Sequence, residues 1–286
     1  MRSGLLMVVL AAASWGTWSV FLRPTGLPAT VTSPIIFAVM GLVSLPAALR
    51  LPPARWDRAT LALLVANAAF DALNVLAFFG AMSTTTVAIA VLTHYLAPIL
   101  VALLAPRFDR VETRGAALAA LVAIAGLAIV LEPWRGAATG AVRGAILGAC
   151  SAVCYAGNVF CVRRLAVRIG AARAMAYHSL IAAVALAPLA VSAVATDVVS
   201  LTAGDLALLV AGAATIGAGS GVVFALGLVR VGSARAAILT FAEPLVAVAI
   251  GALVWHEPLP PLALLGAALV LGAGIYVAAN PGNHAQ

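Results

Sequence analysis

The stretch TTTVAIAVLTHYLAPILVALLA, residues 84–105, decides the fold. It contains no Asp, Glu, Lys or Arg. About 20 apolar residues in a helix cross the roughly 30 Å of bilayer hydrocarbon, so the stretch reads as a membrane span. Nine further runs of this kind surround it, near 4–22, 31–50, 59–80, 112–131, 143–162, 173–195, 204–228, 233–255 and 260–279. Arg, Pro, Gly and Asp punctuate them. Arg50–Leu51–Pro52–Pro53 stops the second run, Glu132–Pro133 the fifth and Arg163–Arg164 the sixth, and Glu257–Pro258 with Pro260–Pro261 turns the ninth into the tenth. Of 286 residues, 64% are hydrophobic and 9% charged. A soluble domain has roughly 45–50% apolar and about 25% charged residues, and a disordered chain fewer apolar ones still. Both classes are excluded, and no large soluble domain fits between the runs.

All 16 basic residues are Arg, and the net charge is +7. A nucleic-acid footprint would gather that charge on one exposed face. Here it sorts by loop. With the N-terminus in the cytoplasm, Arg2, Arg50, Arg55, Arg58, Arg107, Arg110, Arg114, Arg163, Arg164, Arg168, Arg173, Arg230 and Arg235 fall on the cytoplasmic side. Only Arg23, Arg135 and Arg143 fall outside. Arg-rich short loops remain cytoplasmic, so the sequence predicts a multi-pass protein of a bacterial inner membrane with both termini inside. Arg2 and the apolar run after it resemble a signal peptide, but nine further spans follow and an uncleaved first helix is expected. Cys150, Cys154 and Cys161 share one helix and form no disulfide framework; they read as small packing residues.

The chain repeats itself. Ala88, Ala90 and Pro98 match Ala234, Ala236 and Pro244 at an offset of 146. Ala119, Ala120, Leu121, Val122, Ala125, Gly126 and Pro133 match Ala267, Ala268, Leu269, Val270, Ala273, Gly274 and Pro281 at 148. Each half holds five spans. Because five is odd, the second half enters the membrane upside down. The expected fold is an all-α integral membrane protein of ten transmembrane helices in two inverted five-helix repeats. Residues 1–131 form the first repeat, 132–142 an outer connecting loop, 143–279 the second repeat and 280–286 a short cytoplasmic tail. Inverted repeats recur in secondary transporters, whose substrate site lies near the midplane between the repeats.

Several motifs resemble EamA-type members of the drug/metabolite transporter superfamily. They are Ser14–Trp15–Gly16 in the first span, the Ala-x-Ala before Pro98, Glu243–Pro244, and Trp255–His256–Glu257–Pro258. The resemblance covers nearly all of residues 4–279 and implies ten helices, two inverted repeats and export or exchange of small metabolites. One departure is visible. The family commonly has Gly-Glu at the end of the fourth helix, where this chain reads Pro106–Arg107–Phe108–Asp109.

Ionisable groups inside a membrane cost roughly 2.5–3.5 kcal/mol each at the helix centre on insertion scales, which makes them the best functional pointers. Asn67, Asp71 and Asn74 in the third span lie on one helical face, and Asp71 is read as a cavity residue that binds a substrate ammonium or carries a coupling proton. In the ninth span Glu243 stands beside Pro244, which removes a backbone donor, and Thr240 lies one turn earlier; Glu243, Pro244 and the matching Pro98 are read as coupling or gating residues. His94 and Tyr95 join the cavity list, with His94 a candidate proton acceptor. His178 has the same ambiguity and ranks lower. Trp15 and Trp18 sit too deep for an interfacial belt and are read as stacking on substrate, with core packing the plain alternative. Ser151, Tyr155 and Asn158 form a second stripe, read as the opposite cavity wall. In the eighth span Gly217 and Gly221 are spaced for close packing.

Neither a P-loop, nor H-E-x-x-H, nor G-x-S-x-G occurs, so no catalytic or metal residue is assigned, no cofactor is expected and energy must come from gradients. The reading is a secondary active transporter, most simply an exporter of small metabolites or drug-like compounds by alternating access, with proton coupling as an option. The runner-up is an amino-acid or amine exporter of the same fold. An integral-membrane lipid-modifying enzyme or a scaffold fits less well, since an enzyme clusters acids at one membrane face and a scaffold needs no buried polar stripe. The partners are a small-molecule substrate and the lipid bilayer, with no nucleic acid.

Overall fold

The computed structural model describes residues 2–109, 111–112, 115–135, 140–195, 200–259, 261–280 and 283–284. Arg110, Arg114, Pro260, Pro281, and parts of the 132–142 connection and the 280–286 tail lie outside these residues. Ten helical segments follow one another: α1 (Arg2–Thr25), α2 (Ala29–Leu49), α3 (Arg58–Thr84), α4 (Val87–Asp109) and α5 (Ala116–Arg135) in one half, then α6 (Ala141–Ile169), α7 (Ala171–Ala195), α8 (Ala203–Val231), α9 (Ser233–Val254) and α10 (Ala263–Ala279) in the other. Among the described residues, nine are long and apolar enough to cross a membrane. α10 is shorter, at 17 residues, or about 25 Å. The chain is a multi-pass membrane protein. Two-residue strands, β1 (Val111–Glu112) and β2 (Asn283–His284), pair antiparallel beyond α4 and α10.

The exposed surface fits a lipid solvent. Leu264, Leu253, Val142 and Val184 are each three-quarters or more exposed, and many other large apolar side chains lie open around the bundle. Such a surface is unsuited to water. The interior is rich in alanine and glycine, with larger side chains such as Phe241, Leu127 and Leu165 buried among them; small residues let helix backbones approach closely in lipid. The crossing of α5 and α10 is the clearest case. A Cβ at Gly126 would lie 2.7 Å from the Gly266 carbonyl, and one at Gly266 would lie 2.5 Å from the Gly126 carbonyl.

Direction can be read from which residues meet. Along α3 and α6, Asp57 meets Arg168, Asn67 meets Asn158 and Asn74 meets Ser151, so the two run antiparallel. α1 and α8 do the same, from Gly4 against Arg230 to Ser14 against Ser220. Gly115 against Tyr276 and Gly126 against Gly266 make α5 and α10 antiparallel. α4 and α6 run parallel, since His94 meets Ser151 and Asp109 meets Arg163.

One end of the bundle collects the arginines. Arg173 donates to the Leu51 and Pro52 carbonyls, Arg168 pairs with Asp57, and Arg235 donates to the Asn280 carbonyl. Asp109 pairs with Arg163 at 3.0 Å and also accepts the Ser233 N–H, fastening the end of α4 to α6 and α9. At the opposite end Arg23 pairs with Glu257 at 2.6 Å, and Trp255 donates to Ser19.

Several boundaries differ from expectation, among them the end of α3 at Thr84 and the start of α5 at Ala116. The Arg163–Arg164 pair does not end α6, which runs on to Ile169. Arg is a good helix former, and Asp57, Asp109 and the Phe108 carbonyl receive these guanidiniums. α4 also continues past residue 105, through Pro106 to Asp109.

Candidate functional site

Both α4 and α9 are broken at their centres. α4 is interrupted at Tyr95–Leu96, between Val87–His94 and Ala97–Asp109. α9 is interrupted at Thr240–Phe241, between Ser233–Leu239 and Ala242–Val254. Relative to the following proline, Pro98 or Pro244, the two breaks coincide within one residue. The cause is the missing proline N–H, which leaves the carbonyl four residues earlier, on His94 or Thr240, without its helical donor. The backbone tightens to compensate: Leu96 N–H bonds the Thr93 carbonyl, Phe241 the Ile238 carbonyl and Glu243 the Thr240 carbonyl.

The two breaks face each other across a small cavity. His94, Tyr95, Ala97 and Pro98 line it from α4, Thr240 and Glu243 from α9, and Tyr155 from α6. Tyr95 stacks on Phe241 with centroids 5.2 Å apart, which joins the breaks directly. Tyr95 is also within interaction range of the Glu243 carboxyl, as Tyr155 is of Thr240. The space open to the centre of a water molecule is about 10 Å³, enough for about one water. As it stands, the cavity is smaller than any organic solute.

A hydrogen-bond chain fixes His94. Ser151 Oγ–H donates to Asn74 Oδ1 at 2.7 Å, which uses its only proton. Ser151 must then accept from His94 Nδ1–H, also at 2.7 Å. The neutral ring keeps Nε2 as its acceptor. Phe78 and Tyr155 hold the ring, with centroids 4.8 and 5.4 Å away. Glu243 is the only carboxyl of the lining, and no Arg joins it. The cavity thus offers acceptors, hydroxyls and aromatic faces, a chemistry suited to a donor-bearing or cationic group. Among the described residues, no three His, Cys, Asp or Glu side chains come together to hold a metal.

The Asn67–Asp71–Asn74 stripe lies on one face of α3, as expected, yet none of the three lines the cavity. Each is tied to another helix. Asn158 Nδ2–H donates to Asn67 Oδ1 at 3.2 Å, Asn74 takes the Ser151 proton, and Asp71 Oδ2 lies 3.0 Å from His178 Nε2 on α7. Of the second stripe, Tyr155 reaches the cavity while Ser151 and Asn158 hold α6 to α3. Trp15 and Trp18 are also elsewhere. Trp15 donates to the Ile216 carbonyl at 3.2 Å and packs on Phe224, and Trp18 rests against Gly212. The reason is local: α8 widens into a π turn over Ala213–Gly219, which frees carbonyls for the indole.

His178, a lower-ranked candidate in the sequence, meets a residue 107 positions away, a pairing that helical periodicity does not reveal. From the sequence, Gly16 is not read as a site residue. Gly16 lies against the second break, where a Cβ would fall 2.5 Å from the Glu243 carbonyl. Its signal was the Ser14–Trp15–Gly16 motif itself.

Fold and site together define a helical membrane protein of two similar halves that meet at a central polar cavity. Residues 2–132 and 142–279 each match the EamA-like transporter family, and the chain belongs to that family. A solved crystal structure shares the fold, with a TM-score of 0.80 and 20% identity over 97% of this chain and 98% of the other. A search of curated proteins returned no match.

Proposed function

We propose that the protein is a secondary active transporter in which ten helices, in two inverted five-helix repeats, alternate access to the cavity between Pro98 and Pro244. The observation that carries this reading is the pair of matched helix breaks facing one small polar cavity. Broken helices at a repeat interface are a recurrent device for placing a binding site at the midplane. The antiparallel run of α5 against α10, and of α2 against α7, supports inversion of the second half. The arginine-rich end is assigned to the cytoplasm of a bacterial inner membrane, with both termini there. The partners are the bilayer and a small solute.

An amine-bearing substrate, such as an amino acid or a small organic cation, is the reading the lining favours. Glu243 and the Nε2 of neutral His94 receive donors, Tyr95 and Tyr155 supply aromatic faces, and no cation is present to receive an anion. Glu243 and the two prolines act in gating. Thermal-shift binding in detergent, followed by counterflow in proteoliposomes, tests this with phenylalanine, choline and benzoate as probes. Phenylalanine or choline should stabilise and exchange, and benzoate should do neither. Binding of benzoate alone would overturn the amine assignment. Reporter fusions at both termini test orientation, and an external C-terminus would overturn the ten-pass topology.

A further inference from the structure

The tie between Asp71 and His178 constrains where a proton must be. His178 Nδ1 lies 2.8 Å from the Ala174 carbonyl, which can only accept, so Nδ1 carries hydrogen. In the neutral ring, Nε2 is then a bare lone pair. It faces Asp71 Oδ2 at 3.0 Å. An ionised Asp71 opposite a neutral His178 would set two acceptors against each other with nothing between them. The contact holds only when one hydrogen lies on Asp71 or on Nε2 of the ring. His178 is buried, at 3% exposure, and Asp71 is partly buried, at 19%.

We infer that Asp71 and His178 form a one-proton binding site that latches α3 of the first half to α7 of the second, apart from the substrate cavity. This deepens the transporter reading by assigning the coupling proton to a pair outside the solute's own contacts. The same face of α3 carries Asn74, whose bond to Ser151 leads to His94, so a shift of α3 reaches the cavity wall. The neighbouring bond is incompletely satisfied, since the buried Asn67 Nδ2 has no partner. Among titratable groups, Tyr155 of α6 faces Asp71, with Glu243 of α9 beyond it across the cavity. His94 of α4 is reached through Asn74, Tyr177 of α7 adjoins His178 in sequence, and α2 contributes no ionisable residue. Among the described residues no Arg pairs with Asp71, so His178 is the group that shares its proton.

The test needs no substrate. Purified protein in nanodiscs is labelled with nitrogen-15 histidine, and the His178 signal is assigned by its loss in His178→Gln. In the wild type, near neutral pH, the pair should hold one proton. It is seen either as a protonated Nε2 or as an Asp71 carboxylic-acid carbon signal. A bare Nε2 together with an ionised Asp71 would overturn the proposal. Thermal unfolding at neutral pH reads the latch. Asp71→Asn and His178→Gln both supply an amide donor across the contact, whereas Asp71→Ala leaves His178 Nε2 without its partner. The two amide variants should melt close to the wild type and Asp71→Ala several degrees lower. Equal melting temperatures in all of them would overturn the latch. Absence of flux for every probe would reject the transporter reading and leave these two results unaffected.

Discussion

The breaks in α4 and α9 share a backbone and differ in nearly every polar side chain. The first presents His94 and Tyr95, and its imidazole is anchored through Ser151 and Asn74. The second presents Thr240 and Glu243, and its carboxyl has no cationic partner in the lining. Their neighbours differ too. Gly16 of α1 presses on the Glu243 carbonyl, whereas the first break is approached by α6 through Gly148, opposite Thr93. The repeat therefore supplies the frame, and divergence within it supplies the chemistry. On the transporter reading proposed above, the symmetric pair of frames would give two interchangeable shapes, and the asymmetric pair of side-chain sets would orient the solute.

The hardest way to break this comparison is to force α1 off the second frame. Gly16→Val adds atoms against a backbone carbonyl that cannot swing aside. Overpacking of this kind costs about 1–3 kcal/mol. Flux should fall to background and the melting temperature should drop, while Gly272→Ala, on an open face of α10 with nothing within 4 Å, changes neither flux nor cavity. Glu243→Gln retains the frame and removes its charge. Loss of one member of a buried charged contact costs about 2–5 kcal/mol, so counterflow of choline should slow at least tenfold with little change in stability. Ser151→Ala tests the first frame. It leaves His94 Nδ1 and Asn74 Oδ1 short of a partner, a penalty of about 1–3 kcal/mol. The expected result is a lower melting temperature and a several-fold higher KM.

Much of this frame was legible in the sequence. The long apolar runs, the sorted arginines and the paired prolines Pro98 and Pro244 all carry local physical signals. The polar residues were legible as a set and illegible as pairs. Helical periodicity puts Asn67, Asp71 and Asn74 on one face, yet it cannot say that the face meets α6 and α7 instead of the cavity. For Trp15 and Trp18 the sequence leaves packing and substrate stacking both open, because a π turn in α8 supplies carbonyls no hydropathy pattern reveals. The run of α6 beyond Arg164 depends on Asp57 and Asp109, both distant in sequence.

The smallest effect sharpens the comparison by leaving both breaks alone. Asp57 caps α3 by accepting the Thr60 N–H at 2.7 Å. That backbone bond, then the Thr60 hydroxyl and Arg168, hold its carboxyl below the ordinary carboxylate range. Its folded form thus resists protonation, and the cap stabilises above the ordinary value of about 3.9 and is lost as pH falls below it. Asp57→Asn should flatten only that acid limb of the melting curve, with KM and flux at neutral pH unchanged.

α10 carries one more consequence. On the ten-span reading proposed above, its 17 residues reach only about 25 Å, several ångströms less than an average hydrocarbon layer. A span that short is met by thinning of the bilayer, by snorkelling of its flanks or by association with other helices. The Gly266–Gly126 contact, backbone against backbone, supplies the last of these from within the chain and shields one side of the short helix from lipid.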